Sequence, residues 1–272
     1  MNTITTKRDQ LLDLIRSYDS CAIAFSAGVD STVVAKAAQL ALGDNAVAVT
    51  GTSASLAMGE LDEAKRLSKL IGIRHIVLST NEFNDENYTQ NAPDRCYHCK
   101  TELYTKLAGM IDELGVKTIL NGANSDDLAD YRPGMKAASE NCVKSPLAEC
   151  GINKAEVRAL AAEWKLPIWD KPATPCLASR IAYGEQVTPE RLTMIDQAEQ
   201  YLRDQGLRTV RVRYHKGGMA RLEVPVDALP RIVDEQFRNQ LISHLKSLGF
   251  KFVTLDLEGF RSGSLNQLVL LK

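Results

Sequence analysis

Two stretches of this chain carry thiols where packing does not call for them. "DRCYHCK" (94–100) holds Cys96 and Cys99 as a C-x-x-C pair, and "ATPCLASR" (173–180) sets Cys176 in a short polar loop. Buried cysteines usually sit inside apolar runs, so Cys176 either fills a gap or reacts, and the neighbouring Pro175, Ser179 and Arg180 favour reaction. Two thiols at C-x-x-C spacing can bind a metal or cluster or form a redox couple, whereas structural zinc ordinarily asks for four ligands. His98, between the two, reads as a surface side chain. Three thiolates without a fourth suit an iron–sulfur cluster with one iron left open, because soft ligands select such clusters. Cys21, in an apolar run, reads as packing, and Cys142 and Cys150 lie in a loop with no partner motif.

A third stretch points to phosphate. "AFSAGVDST" (24–32) places Ser26, Ala27, Gly28, Val29, Asp30 and Ser31 between an apolar strand and a helical pattern. Small residues there let backbone N–H groups and a helix N-terminus approach an anion, with hydroxyls adding contacts; an ordinary capped turn fits the same geometry. In "TVRVRYH" (209–215), alternation puts Arg211 and Arg213 on one strand face, and "ARLEV" (220–224) repeats this with Arg221 and Glu223. Such a face can hold a phosphate by bidentate contacts while Glu223 orients a guanidinium; the alternative is a solvated polar face.

These residues need a frame. "CAIAF" (21–25), "AVAVT" (46–50), "HIVLS" (75–79) and "TILNG" (118–122) read as strands, separated by helical patterns over 31–42, 58–72 and 100–115, so the C-x-x-C pair is expected just ahead of the last helix. Strand and helix alternating predicts an α/β fold with a doubly wound parallel sheet. Beyond residue 184 come a Thr-capped helix, two strands about a Lys-Gly-Gly turn, another helix and "FVTLDL" (252–257). We expect two domains, 1–184 and a smaller α+β domain of antiparallel strands over 185–272.

Composition sets limits. The chain has 272 residues with 33 basic against 34 acidic side chains, net −1, which argues against bulk capture of nucleic acid. No run approaches the roughly 18 apolar residues of a membrane span, and the N-terminal stretch has no apolar signal core. The expectation is a cytoplasmic protein acting on a small molecule, its six cysteines outside any disulfide framework.

The phosphate stretch resembles the S-G-G-x-D-S loop of the PP-loop pyrophosphatases, the adenine nucleotide alpha hydrolase-like group, with Ala27 at the first glycine. "NGANSDD" (121–127) and "SPLAECGINKAEVRALA" (145–161) resemble further segments of that group. The resemblance implies ATP cleaved between its α and β phosphates, with Gly122 and Asp126 near the nucleotide and its Mg²⁺, and Asp30 among the catalytic residues. The ordered set "SAGVDS", "DRCYHCK", "NGANSDDLADYRPGMKA", "KPATPCLASRIAYG", "RTVRVRYH" and "LDLEGFRSGSLN" is similar to the LarE family, sulfur transferases that help make the nickel-pincer cofactor of lactate racemase. It implies a substrate, pyridinium-3,5-biscarboxylic acid mononucleotide, whose carboxylates are adenylated and converted to thiocarboxylates, and it implies a homo-oligomer. Members obtain sulfur either from the cysteine at Cys176, which is left as dehydroalanine, or from a four-iron, four-sulfur cluster. With Cys96 and Cys99 beside Cys176 the cluster is the expected route. Arg211, Arg213 and Glu223, with Ser179 and Arg180, are expected to bind the substrate, and Lys100 to stabilise the adenylate or act as base. A tRNA thiolase would show a basic surface, a glutamine-dependent synthetase a glutaminase half, and an adenine-nucleotide sensor would have no need of three thiols.

Overall fold

A computed structural model describes residues 3–129, 133–172 and 174–261, in two compact units. The first comprises Met1–Ser53, Met58–Glu82 and Cys96–Thr174; the second comprises Ala54–Ala57, Phe83–Arg95 and Pro175–Lys272.

The first unit is built on four parallel strands, β1 Cys21–Ala24, β2 Ala46–Thr52, β3 Arg74–Ser79 and β4 Thr118–Leu120, in the order β3-β2-β1-β4. Strands buried on both faces read as near-continuous apolar runs, and alternation divides them between two cores. Cys21, Ile23, Ala46 and Ala48 pack with Leu11, Ile15, Val33, Leu67 and Leu160 on one face. Ala22, Val47 and Val49 pack with Leu103, Tyr104, Leu107 and Ala137 on the other. The sheet is therefore covered by helices on both sides, and its strand order switches around β1, where ligand loops of such folds gather. The helix Glu60–Ile71 ends at Gly72, whose φ of 79° is the left-handed stop that glycine allows.

The start of the C-x-x-C helix differs from expectation. It runs Arg95–Gly109, so Cys96 and Cys99 lie within its first turns rather than ahead of it, and a separate short helix, Ile111–Leu114, follows.

In the second unit, Thr188 caps the helix Pro189–Asp204 by accepting from the Arg191 N–H at 3.3 Å, with proline at the first helical position. Strands β5 Arg211–His215 and β6 Met219–Glu223 form an antiparallel hairpin around Gly217 and Gly218, whose φ values are 81° and 76°. β7, Phe252–Leu255, pairs with β6 in parallel, correcting the all-antiparallel expectation. The helix Glu235–Ser247 lies between β6 and β7, and a helical crossover returns the chain in the same direction. Among the described residues no helix is long and apolar enough to cross a membrane.

Candidate functional site

The phosphate loop leaves β1 through Phe25, whose N–H donates to the Val49 carbonyl at 2.8 Å and extends the ladder one residue. Ala27 then turns at φ 56°, and Gly28 caps the helix Val29–Leu42. The loop is closed by hydroxyls: Ser31 Oγ donates to the Gly28 carbonyl at 3.2 Å, Thr32 Oγ1 donates to the same carbonyl at 2.7 Å, and the Ser26 and Ser31 hydroxyls lie 3.2 Å apart. Gly122, just past β4, sits against this loop so closely that a Cβ there would come 2.7 Å from the Ser31 nitrogen. Its lack of a side chain is what lets the two loops meet.

Asp30, in the first turn of that helix, is held from two sides. Its Oδ1 accepts from Asn124 Nδ2 at 3.1 Å, and its Oδ2 is ion-paired with Lys154 Nζ. The backbone N–H of Lys154 donates to Asp126 Oδ2 at 3.0 Å, so one residue ties both carboxylates. Lys154 opens the helix Lys154–Glu163, fixed by a capping box between Asn153 and Glu156. Asn124 and Lys154 were not among the residues singled out from sequence; the "KAEVR" segment was the available signal. A helix N-terminus of small residues beside two carboxylates can accept a polyphosphate on its N–H groups and a hard cation on its oxygens.

None of the six cysteines is disulfide-bonded. Cys21 is buried and its thiol pushed up to about 12 by that burial, which makes it a packing residue. Cys96 is exposed and Cys99 half-buried, three residues apart on one helix and so on one face. Between them, Tyr97 donates to Glu140 Oε2 at 2.6 Å, lies under Lys136 Nζ at 5.3 Å and meets the His98 ring edge-on at 5.3 Å. The Lys100 stem packs on Gly134, where a Cβ would meet its Cγ at 3.2 Å. Cys176, in the second unit, is exposed at the start of the short 3₁₀ turn Leu177–Arg180. Among the described residues no three Cys, His, Asp or Glu side chains gather into a metal-binding group.

The hairpin face is buried rather than solvated. Arg211 stands opposite Glu223 and Arg213 opposite Arg221. Glu223, fully buried, accepts from Arg213 Nη2 at 2.8 Å and Arg221 Nη2 at 2.9 Å, while Arg213 Nη1 donates to the Ser179 carbonyl at 3.0 Å. Arg211 donates to the Val210 carbonyl at 2.7 Å and lies 5.2 Å from the Phe260 ring centre. Arg180 is fully buried, with its guanidinium on Glu199. Its place beside Cys176 in sequence suggests contact with substrate; the fold instead encloses it.

No family model matches the chain. It is 38% identical over 98% of its length to the pyridinium-3,5-bisthiocarboxylic acid mononucleotide synthase of Lactiplantibacillus plantarum, 96% of which is covered. The chain belongs to the LarE family. It is also 45% identical over 98% of its length to the uncharacterized protein slr1717 of Synechocystis, 99% of which is covered. A tRNA-specific 2-thiouridylase of Xanthobacter autotrophicus is 30% identical over 55% of this chain and 48% of its own length.

This LarE-family chain is an enzyme, like the named synthase, and its first unit has the α/β architecture expected of the PP-loop group. The positive charge of its second unit is expensive to bury. Burial pulls the Arg211 guanidinium down to about 10, with Arg180 and Arg213 adding like-charge repulsion that Glu199 only partly offsets. His215, at the end of β5, is held below the usual histidine range by burial and then by Arg221 and Arg213. Of the motifs that suggested the LarE family, Asp130, Tyr131, Arg132, Ala173 and the end of "GFRSGS" beyond Arg261 lie outside the described residues.

Proposed function

We propose that this enzyme uses ATP and Mg²⁺ to transfer sulfur onto the carboxylates of pyridinium-3,5-biscarboxylic acid mononucleotide, and that it does so as a homo-oligomer. The observation that carries this reading is the 38% identity, along almost the whole chain, to a synthase named for the dithio product. The 2-thiouridylase match, over 55% of the chain, supports ATP use through the PP-loop.

In this reading Ser26, Ala27, Gly28, Val29 and Ser31, with Gly122 behind them, cradle the ATP phosphates, and Asp30 and Asp126 offer oxygens to the nucleotide's Mg²⁺. A substrate carboxylate oxygen attacks the α-phosphorus, pyrophosphate leaves, and an acyl-adenylate forms; Lys100 is the candidate to stabilise it. A sulfur nucleophile then attacks the acyl carbon, and AMP leaves with the electron pair of the broken C–O bond. Arg211 and Arg213, the latter oriented by Glu223, and joined by Ser179, take the substrate phosphate, whose negative charge would offset the strain of burying those guanidiniums.

For the sulfur source, the donor set favours a four-iron, four-sulfur cluster held by Cys96, Cys99 and Cys176, which when bound would supply a terminal sulfide. A second reading rests on the exposed thiol of Cys176 itself. There the Cys176 thiolate attacks the acyl-adenylate directly and the thioester then eliminates: a base removes the Cα proton, the Cβ–S bond breaks, and the thiocarboxylate departs, leaving dehydroalanine.

Anaerobic protein incubated with ATP, Mg²⁺ and the pyridinium substrate tests both levels. Substrate-dependent AMP, pyrophosphate and thiocarboxylate are expected, and no substrate-dependent AMP overturns the function. Bound iron and sulfide with intact Cys176 after several turnovers identify the cluster; a chain lighter by H₂S at Cys176, with no iron, identifies the sacrificial route. Light scattering checks the oligomer.

A further inference from the structure

Arg180 is fully buried, and its donors divide between two tasks. Nε and Nη2 grip Glu199 at 2.9 and 3.1 Å, while Nη1 donates to the Pro175 carbonyl, to the Cys176 carbonyl at 3.1 Å and to Ser179 Oγ at 3.1 Å. One planar group thus fastens the backbone on both sides of the Cys176 Cα to a carboxylate on the helix Pro189–Asp204. Glu199, also fully buried, accepts from Arg203 Nη2 at 2.8 Å and from the Val212 N–H at 3.1 Å. Val212 lies on β5 between Arg211 and Arg213, and Arg213 closes the ring by donating to the Ser179 carbonyl at 3.0 Å. Arg95 adds a bond to the Ala178 carbonyl at 2.8 Å, and the Leu177 N–H donates to the Ser55 carbonyl at 3.1 Å. The thiol itself is exposed, on a backbone anchored by buried groups.

We propose that Arg180 and Glu199 are positioning residues: a buried ion pair that fixes the Cys176 loop relative to the arginine-bearing strand β5, and so governs delivery of sulfur to the acyl-adenylate rather than its formation. Both side chains are enclosed and bonded to protein groups. The inference rests on the proposed sulfur-transfer reading and holds for either sulfur source, because Cys176 would be the attacking thiol in one and a ligand of the sulfide-bearing cluster in the other. Bidentate Arg–carboxylate geometry supplies direction as well as attraction, and a displacement of about 1 Å in a reacting group can cost on the order of 100-fold in rate.

The test compares Glu199→Gln and Arg180→Lys with the unaltered protein in two measurements. In the first, single-turnover pyrophosphate formation and thiocarboxylate formation are followed separately. Thiocarboxylate formation is expected to fall about 100-fold and pyrophosphate formation far less, a split that loss of fold would not give. In the second, hydrogen exchange is followed without substrate, and residues 174–182 are expected to exchange at least about tenfold faster while the helix Glu235–Ser247 does not change. Equal loss of both half-reactions in a folded variant overturns the proposal, as does unchanged exchange over 174–182. Should neither single variant fold, the double variant Arg180→Met/Glu199→Leu leaves neither charge of the pair buried alone and is read the same way. If the unaltered protein forms no pyrophosphate with this substrate, the functional reading fails, and hydrogen exchange alone decides whether the pair anchors the loop.

Discussion

Ala27 occupies, at φ 56° and fully buried, a conformation that glycine enters freely. The left-handed region costs a non-glycine residue about 1–2 kcal/mol, but a glycine here would lose about 0.5–1 kcal/mol in backbone entropy and about 0.8 kcal/mol of methyl burial. These terms nearly cancel, so Ala27→Gly is expected to change unfolding free energy by less than about 1 kcal/mol in chemical denaturation. Gly122 is the opposite case, since its neighbour at 2.7 Å is backbone and cannot swing away. Gly122→Ala should therefore cost about 1–3 kcal/mol by the same measurement and lower pyrophosphate formation by displacing Ser31. Lys154→Gln removes the cation from Asp30, and we expect a several-fold higher KM for ATP from steady-state pyrophosphate release. The contrast shows what a sequence displays at this scale. Ser26 to Ser31 are contiguous and could be read directly, whereas the Lys154 to Asp30 pairing spans 124 positions and exists only once the sheet has brought two loops together.

Elements were legible where the pattern was strong. Four strands alternating with helices gave the parallel sheet, because runs such as "AVAVT" suit strands covered on both faces, while β3 at the sheet edge is half-exposed. The start of the C-x-x-C helix was misplaced because "RCYHCK" is too polar to show helical periodicity. The direction of β7 was missed because pairing sense depends on the route of the intervening chain, and here a helix makes the crossover. For the β5–β6 hairpin, alternation gave the correct face but could not say that it was buried. That burial has a consequence for Glu223, whose two guanidinium partners would be left around a neutral group in Glu223→Gln. Removing one partner of a buried ion pair costs about 3–5 kcal/mol, and the amide's volume and remaining hydrogen bonds put the expected loss near the lower end. Chemical denaturation measures that loss, and weaker binding of the phosphate-bearing substrate should accompany it.

At the scale of the whole chain, near-neutral charge leaves stability to local environments, and each unit contains one histidine whose ring is costly to protonate. His75, in the first unit, lies 2.8 Å from Thr50 Oγ1 and edge-on to Phe25 at 6.0 Å, and burial holds it below the usual histidine range. His215, in the second, is lowered by burial and by Arg221 and Arg213. A group that binds its proton more weakly folded than unfolded makes the unfolded state the stronger proton acceptor, so stability falls as pH drops. The loss begins near the unfolded histidine value of about 6.5 and continues until the folded rings protonate. Glu63 and Glu156, lowered despite the desolvation they suffer by Arg66 in one case and by Lys7 and the Asn153 backbone in the other, contribute the same sign of effect. Their contribution, however, is lost only as pH falls below about 4.3, so the interval from pH 7 to 5 isolates the histidines. Over that interval the melting temperature of the unaltered protein should decline, and the double variant His75→Gln/His215→Gln should decline less steeply. Equal slopes would mean that the two rings bind their protons as strongly in the folded protein as in the unfolded chain. Following hydrogen exchange in Arg74–Ser79 and Arg211–His215 during the same titration then assigns the effect to each unit.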